Sequence, residues 1–179
     1  VRSALTFARA LGTDVVTLGI GPIPSDEVNE AGRNDRDLLV EVLNDLARHG
    51  NHVGAIPVID VAASDLEKFK GLLEDIDTGP IGVDFNPAGW SGRGINPVET
   101  FRELFDVVKH VWARDAVRAS DGSFREVPVG RGEVVWDEML AVLAEAEYPG
   151  WLTAGASGGD DPADDATRAV SILRTIAAG

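Results

Sequence analysis

Residues 81–118 read IGVDFNPAGWSGRGINPVETFRELFDVVKHVWARDAVR and contain a complete strand–helix–strand succession. Two short apolar segments, 81–86 and 106–114, have the length and β-branched content typical of buried strands. Between them, Asn96, Pro97 and Glu99 supply a capping side chain, a proline at the first helical position and a capping glutamate. Two buried strands joined by a helix predict a parallel βαβ unit with a right-handed crossover.

The same alternation continues on both sides of this unit. Further strands are predicted at 14–20, 53–61 and 150–155. Helices are predicted at 3–11, from the Asn34 cap to Gly50, after the capping box Ser64–Glu67, around Trp136, and from Pro162 onwards. Strict alternation predicts an α/β fold with parallel strands, either an open doubly wound sheet or a (β/α)8 barrel. No glycine-rich phosphate loop follows a strand, which weakens the nucleotide-binding form of the open sheet.

Composition limits the partners and the compartment that we expect. The chain has 179 residues, enough for one domain with its own core. A net charge of −14 repels phosphate and anionic lipid, so we expect neither a nucleic-acid nor a membrane partner. The absence of cysteine excludes thiolate ligands and fits a cytoplasmic protein. With only three histidines, any metal site has to draw on the 30 aspartates and glutamates.

Two segments resemble a known family. Residues 82–118, and then EVPVGRGEVVWDEMLAVLAEAEYPGWLTAG at 126–155, are similar to the xylose isomerase-like TIM-barrel family of sugar isomerases, epimerases and dehydratases and endonuclease-IV-type enzymes. The resemblance extends over about residues 3–176 and implies an α/β fold, a partial (β/α)8 TIM barrel with about the last five strand–helix units. On this interpretation residues 1–179 form a single domain that lacks the first three units.

The resemblance also implies a metal site. Members of the family typically hold one manganese, magnesium or cobalt ion with Glu, Asp, His and Glu at the carboxyl ends of the strands, and the glutamates double as acid and base. These ligand positions fall at Asp60, Asn86, Trp112 and Gly155. None of the four typical ligands is retained, although Asn86 could offer a neutral oxygen and Asp60 a shorter carboxylate. We therefore expect no metal cofactor for this chain.

Other residues near the strand ends are candidates for ligand binding. Side chains alternate along a strand, so Asp84 shares a face with Asn86, and His110 shares one with Trp112. The predicted substrate-binding residues are Asp84, Asn86, His110, Trp112, Asp115 and Arg118. Asp60 is the candidate catalytic acid or base.

Three of these candidates have alternative interpretations. Trp112 is either an aromatic platform for a sugar ring or a packing residue that fills the vacated metal position, and packing is favoured because large aromatic side chains are mostly core residues. Arg114, Asp115 and Arg118 match a charged stretch of the family, and solvent-exposed ion pairs explain that stretch equally well.

These expectations predict a member of the sugar isomerase and epimerase family that acts on or binds a small carbohydrate-like molecule. Metal-dependent turnover by this chain alone is not expected, because its metal ligands are replaced. The alternative is a non-catalytic barrel subunit or ligand-binding pseudoenzyme whose open edges are completed by a partner or a second copy. An open α/β binding module unrelated to isomerases is a third possibility.

Overall fold

The computed structural model describes residues 1–28, 32, 34–60, 65–155 and 161–178. The chain divides into two compact units, Val1–Asp84 and Phe85–Gly179. In the first lie α1 (Arg2–Ala10), β1 (Val15–Leu18), α2 (Asp35–Val53), β2 (Ile56–Asp60), α3 (Leu66–Glu74) and most of β3 (Gly82–Phe85). The second contains α4 (Pro87–Ser91), α5 (Pro97–Leu104), β4 (Val108–Ala113), β5 (Asp115–Arg118), β6 (Phe124–Val127), α6 (Trp136–Glu145), β7 (Trp151–Ala154) and α7 (Pro162–Ala178).

Five of the strands in the described structure belong to one parallel sheet, in the order β1-β2-β3-β4-β7. β1 pairs with β2, β2 with β3, and β4 with β7, each in parallel register. Helices connect successive strands, as parallel pairing requires. This is the α/β succession of a partial (β/α)8 barrel, and all five predicted strands lie within their predicted ranges. Whether residues 1–179 form a single domain stays a prediction.

Side-chain caps fix the starts of three helices, two of them at the residues that the sequence predicts. The Asn34 side chain accepts hydrogen bonds from the backbone N–H groups of Arg36 and Asp37. Asn96 does the same for the first turn of α5, at 2.9 Å from the nitrogen of Val98. At α3 the capping side chain is Asp65, while Ser64 of the predicted capping box lies outside the described residues. Each cap satisfies donors that the helix itself leaves unpaired.

The predicted end of α2 at Gly50 is wrong. The helix continues to Val53 and ends at Gly54, which adopts a left-handed conformation with φ of 76°. Gly50 is needed for another reason: a Cβ there would overlap the carbonyl oxygen of Ala55 and lie 3.0 Å from Cδ of Pro57. A glycine that permits close packing has the same sequence signature as a glycine that ends a helix.

The sequence analysis missed α4 and the β5–β6 hairpin. In α4, Pro87 occupies the first turn and Trp90 is fully buried. The hairpin is antiparallel and has four-residue strands, closed by a turn in which Asp121 accepts hydrogen bonds from the N–H and hydroxyl of Ser123. Apolar and polar residues do not alternate clearly along its two strands, so the sequence does not distinguish them from a loop.

Each unit has its own apolar packing behind the strands. In the first, Leu5, Leu46 and Ala55 are buried together against Val16 and Leu18. In the second, the rings of Phe85 and Phe101 pack edge to face with centroids 5.5 Å apart. This packing holds alternate strand residues against the helices, so the intervening residues point to the opposite face of the sheet. No helix in the described part of the chain is long and apolar enough to cross a membrane.

Candidate functional site

The second unit brings two predicted site residues together on β4. His110 and Trp112 lie on one face of the strand, with ring centroids 5.0 Å apart and planes nearly perpendicular. Nε2 of His110 is 2.8 Å from the hydroxyl oxygen of Thr153 on β7. His110 is only 9% exposed, so this hydrogen bond satisfies a buried polar group. The histidine is thus a hydrogen-bonded interior residue whose ring stands beside Trp112.

Trp112 faces Gly155, which follows directly after β7. A Cβ on Gly155 would lie 3.0 Å from ring carbon Cζ3 of Trp112 and 3.6 Å from Cε3. The indole therefore occupies the space into which a longer side chain at residue 155 would extend. The packing interpretation accounts for this contact, because the tryptophan fills the room that the glycine leaves.

A cation also lies against this tryptophan. The guanidinium carbon of Arg114 is 4.0 Å from the centroid of the Trp112 ring, within the range of a cation–π contact. Nε of Arg114 is 3.6 Å from a carboxylate oxygen of Glu126 on β6, and the two side chains are 22% and 28% exposed. This nitrogen is buried and has no hydrogen-bond partner in the described part of the chain. Trp112 is therefore covered by protein groups on several sides.

Asn86, between β3 and α4, holds an unpaired oxygen. It stands at the N-cap position of α4, but its side chain makes no capping hydrogen bond. Its Oδ1 is buried and without a donor among the described residues. A buried acceptor without a donor is costly, so this oxygen can take a hydrogen bond from a hydroxyl group or a water molecule.

Asp115 holds a loop in place. Its carboxylate accepts hydrogen bonds from the backbone N–H groups of Ala116, Gly130, Gly132 and Val134 at 2.9–3.1 Å. Asp115 is fully buried, and a Cβ on Gly132 would overlap its carboxylate. The predicted solvent-exposed ion pair is therefore wrong for this residue, because its acceptors are used inside the protein. A contact with substrate stays a prediction.

Arg118 lies on the hairpin and is exposed. Its backbone N–H donates to a carboxylate oxygen of Glu133 at 2.9 Å, and its guanidinium lies close to Gly94. Its predicted role in substrate binding remains untested.

In the first unit, Asp60 and Asp84 are register partners on neighbouring parallel strands. Asp84 is 4% exposed and Asp60 is half-buried. Both take part in further interactions, so neither is a free carboxylate. The sequence prediction that these strand ends carry acidic side chains agrees with this placement, while the catalytic role of Asp60 stays a prediction.

The second unit does not fit the metal ligand set of the family. On the ligand positions predicted from the sequence, Asn86 offers one neutral oxygen, and an indole and a glycine stand at the positions of a histidine and a glutamate. Among the described residues, no group of three or more His, Cys, Asp or Glu side chains is placed to hold a metal ion. We therefore derive no chemistry through a bound ion.

Sequence reasoning missed two residues of this site. Thr153 lies two positions before Gly155 on the same strand, so side-chain alternation would have placed it on the face of the candidate ligand residues. Glu126 belongs to the unpredicted hairpin, and nothing in the sequence pairs it with Arg114.

Comparison with known proteins identifies the family. A profile of the xylose isomerase-like TIM barrel family matches residues 1–176. The chain belongs to this family, whose members are isomerase- and epimerase-like and typically depend on a metal. None of the curated protein sequences matches the chain significantly.

Solved structures support the same fold. The xylose isomerase domain protein from Planctomyces limnophilus has a TM-score of 0.82 at 26% identity and covers 99% of this chain and 63% of its own. A xylose isomerase-like TIM barrel protein from Mycobacterium smegmatis, in complex with magnesium, has a TM-score of 0.75 at 16% identity, with 99% and 65% covered. A D-tagatose 3-epimerase-like protein has a TM-score of 0.79 at 22% identity, with 99% and 67% covered. The chain thus spans less than two thirds of the first two proteins, and the predicted fold class is confirmed.

Proposed function

We propose that this chain binds a small carbohydrate-like molecule at the carboxyl ends of its strands and does so without a divalent metal. The observation that supports the proposal is the contact between Trp112 and Gly155. These residues stand at two ligand positions of the family, and the indole fills the space beside the glycine. The remaining polar groups, Asn86 Oδ1 and the His110–Thr153 pair, suit hydroxyl groups better than an ion.

Binding is favoured over turnover on chemical grounds. Moving a proton beside a sugar carbonyl requires a group that polarises the carbonyl oxygen and a base of suitable pKa. The metal supplies the polarisation in the family, and this chain lacks the side chains for it. Asp60 remains the candidate base, but one carboxylate supplies neither the polarisation nor the orientation of substrate.

Equilibrium dialysis against Mn²⁺, followed by metal analysis, tests the proposed loss of the ion. We expect no stoichiometric manganese on the wild-type chain and about one ion per chain on the triple variant Asn86→Asp, Trp112→His, Gly155→Glu. The double variant Trp112→His, Gly155→Glu is the matched control, because it lacks the carboxylate that Asn86→Asp adds to the triple variant. Tightly bound manganese on the wild-type chain would contradict the proposal, and a folded triple variant that binds none would contradict the assignment of ligand positions.

Saturation-transfer NMR with D-xylose and D-fructose tests binding in the same preparation. We expect transfer to both sugars, weakened by Asn86→Leu because that variant removes the buried acceptor. If neither of these sugars shows transfer, and the acidic sugars glucuronate and glucose 6-phosphate show none either, the proposed function is wrong.

A second candidate function rests on a different observation, the exposure of Trp151. This residue is the register partner of His110 and is 79% exposed. It lies on β7, which is an outer strand of the sheet and pairs only with β4 in the described structure. A large exposed aromatic side chain on an edge strand favours coverage by another chain, so the protein would be a barrel subunit completed by a partner or a second copy.

A further inference from the structure

We infer that the ligand of this site carries an anionic oxygen group, a carboxylate or a phosphate, and that Arg114 binds it. The inference rests on the proposed function and narrows its ligand class from sugars in general to acidic sugars. It is carried by the position and the incomplete pairing of the Arg114 guanidinium.

The Trp112 ring holds the Arg114 side chain in place. Its guanidinium lies 4.0 Å from the centre of the Trp112 ring, and Trp112 in turn packs against His110 and Gly155. A stacked guanidinium loses much of its rotational freedom before any ligand arrives, which lowers the entropic cost of binding. The cation is therefore preorganised beside the groups assigned to sugar binding.

The pairing of this guanidinium within the protein is loose. Its Nε is 3.6 Å from Glu126, beyond hydrogen-bonding distance, and is buried without a hydrogen-bond partner in the described structure. Within the described residues, this side chain is otherwise stacked on Trp112. Arginine presents five donors in a planar fork that matches carboxylate and phosphate oxygens. A side chain that is 22% exposed can offer part of that fork to a ligand.

Local charge favours an anion over a neutral sugar. A guanidinium forms stronger, charge-assisted hydrogen bonds with an anionic oxygen than with a hydroxyl group. Of the acidic side chains near it, Asp115 is fully buried and directed at backbone N–H groups, so Glu126 is the competing carboxylate. The net charge of −14 repels anions at long range, but screening at about 0.15 M salt confines that repulsion to about 8 Å.

Titration of the full chain with three matched sugars tests the inference. D-Glucose is the neutral probe. D-Glucuronate carries a carboxylate in place of the C6 hydroxymethyl group of glucose, and D-glucose 6-phosphate carries a phosphate on the C6 hydroxyl. We expect at least one of the acidic sugars to bind about tenfold or more tightly than glucose, the usual worth of a charge-assisted pair. The comparison of glucuronate with the phosphate identifies which anionic group the site takes.

Three variants assign the preference to Arg114. Arg114→Met keeps an unbranched apolar stem on Trp112 and is expected to abolish the preference for the acidic sugar over glucose. Arg114→Lys keeps the charge without the fork and should retain only part of the preference. Glu126→Gln removes the competing carboxylate and should tighten the binding of the acidic sugar. Circular dichroism of each variant establishes that it is folded.

The outcomes separate this inference from the proposed function. If glucose binds as tightly as both acidic sugars, or if Arg114→Met leaves the preference intact, the inference is overturned while carbohydrate binding stands. If Glu126→Gln weakens the binding of the acidic sugar, the inference is also overturned. If none of the three sugars binds, nor xylose and fructose, both proposals fail.

Discussion

On the predicted carry-over of the family's ligand positions, Trp112 and Gly155 replace a histidine and a glutamate, and these two residues fit each other sterically. The indole lies over the backbone of Gly155, so a larger side chain at residue 155 meets the ring at once. Restoring either ligand alone therefore leaves a defect: a glutamate collides with the indole, and a histidine leaves a void. Coupled positions of this kind are expected to be non-additive, which is why the metal test restores both together.

Asp115 shows that a residue within a stretch that resembles the family can have a structural role. The sequence placed it in a charged stretch and left open whether it binds substrate or lies in solvent, since no sequence signal shows four backbone N–H groups converging on one carboxylate. We expect Asp115→Asn to lower the free energy of unfolding by about 3 kcal/mol, because a neutral amide cannot accept from all four donors and its NH₂ group meets them. Urea denaturation measures the change.

Asp106→Asn is the matched control for Asp115. Asp106 is exposed, and its recorded hydrogen bond uses the backbone oxygen, so its substitution should stay within about 0.5 kcal/mol. Equal effects of the two substitutions would mean that the loop at 128–134 does not depend on the Asp115 carboxylate.

At the level of elements, capping residues and strand composition made most of the fold predictable. Asn34, Asn96 and the apolar strand segments act through local chemistry, and the structure places each of them as expected. The β5–β6 hairpin and the end of α2 depend on contacts distant in sequence, such as Gly50 with Ala55. Such contacts leave no periodic pattern, so local reasoning could not find them.

Gly50 and Gly71 both lie within helices but differ in the space around them. Alanine usually stabilises a helix relative to glycine by about 0.5–1 kcal/mol. At Gly71 in α3 the nearest atom to a new Cβ is a guanidinium nitrogen of Arg36 at 4.0 Å, an ordinary van der Waals distance, so Gly71→Ala should raise the free energy of unfolding by that amount. At Gly50 the new Cβ overlaps a carbonyl oxygen, so Gly50→Ala should lower it by about 1–3 kcal/mol.

Urea denaturation of these two glycine variants measures the difference directly, because each replaces the same residue type within a helix. If Gly50→Ala is as stabilising as Gly71→Ala, the close packing of α2 against the segment that leads into β2 is not present in solution.

For the molecule as a whole, the order of elements and the motif segments were sufficient to identify the family, which the profile match over residues 1–176 confirms. The candidate site was only partly predictable. Positions 60, 86, 112 and 155 come from the carry-over of family ligands, but the fit of Trp112 to Gly155 and the stacking of Arg114 depend on side-chain conformations. The sequence therefore predicts candidate residues, and only the three-dimensional packing shows how their side chains contact one another.

The outer edge of the sheet at β7 carries an exposed tryptophan. Trp151 is 79% exposed on β7, and burying such a side chain would contribute about 2–3 kcal/mol to an association. If a second copy completes the barrel, sedimentation velocity should show association that increases with protein concentration, and Trp151→Ser should suppress it. Phe105→Ser is the control, because Phe105 is 46% exposed but directly follows α5. A sedimentation coefficient of a single chain at every concentration would rule out the second copy, and equal suppression by both substitutions would show that the association is not specific to the edge of β7.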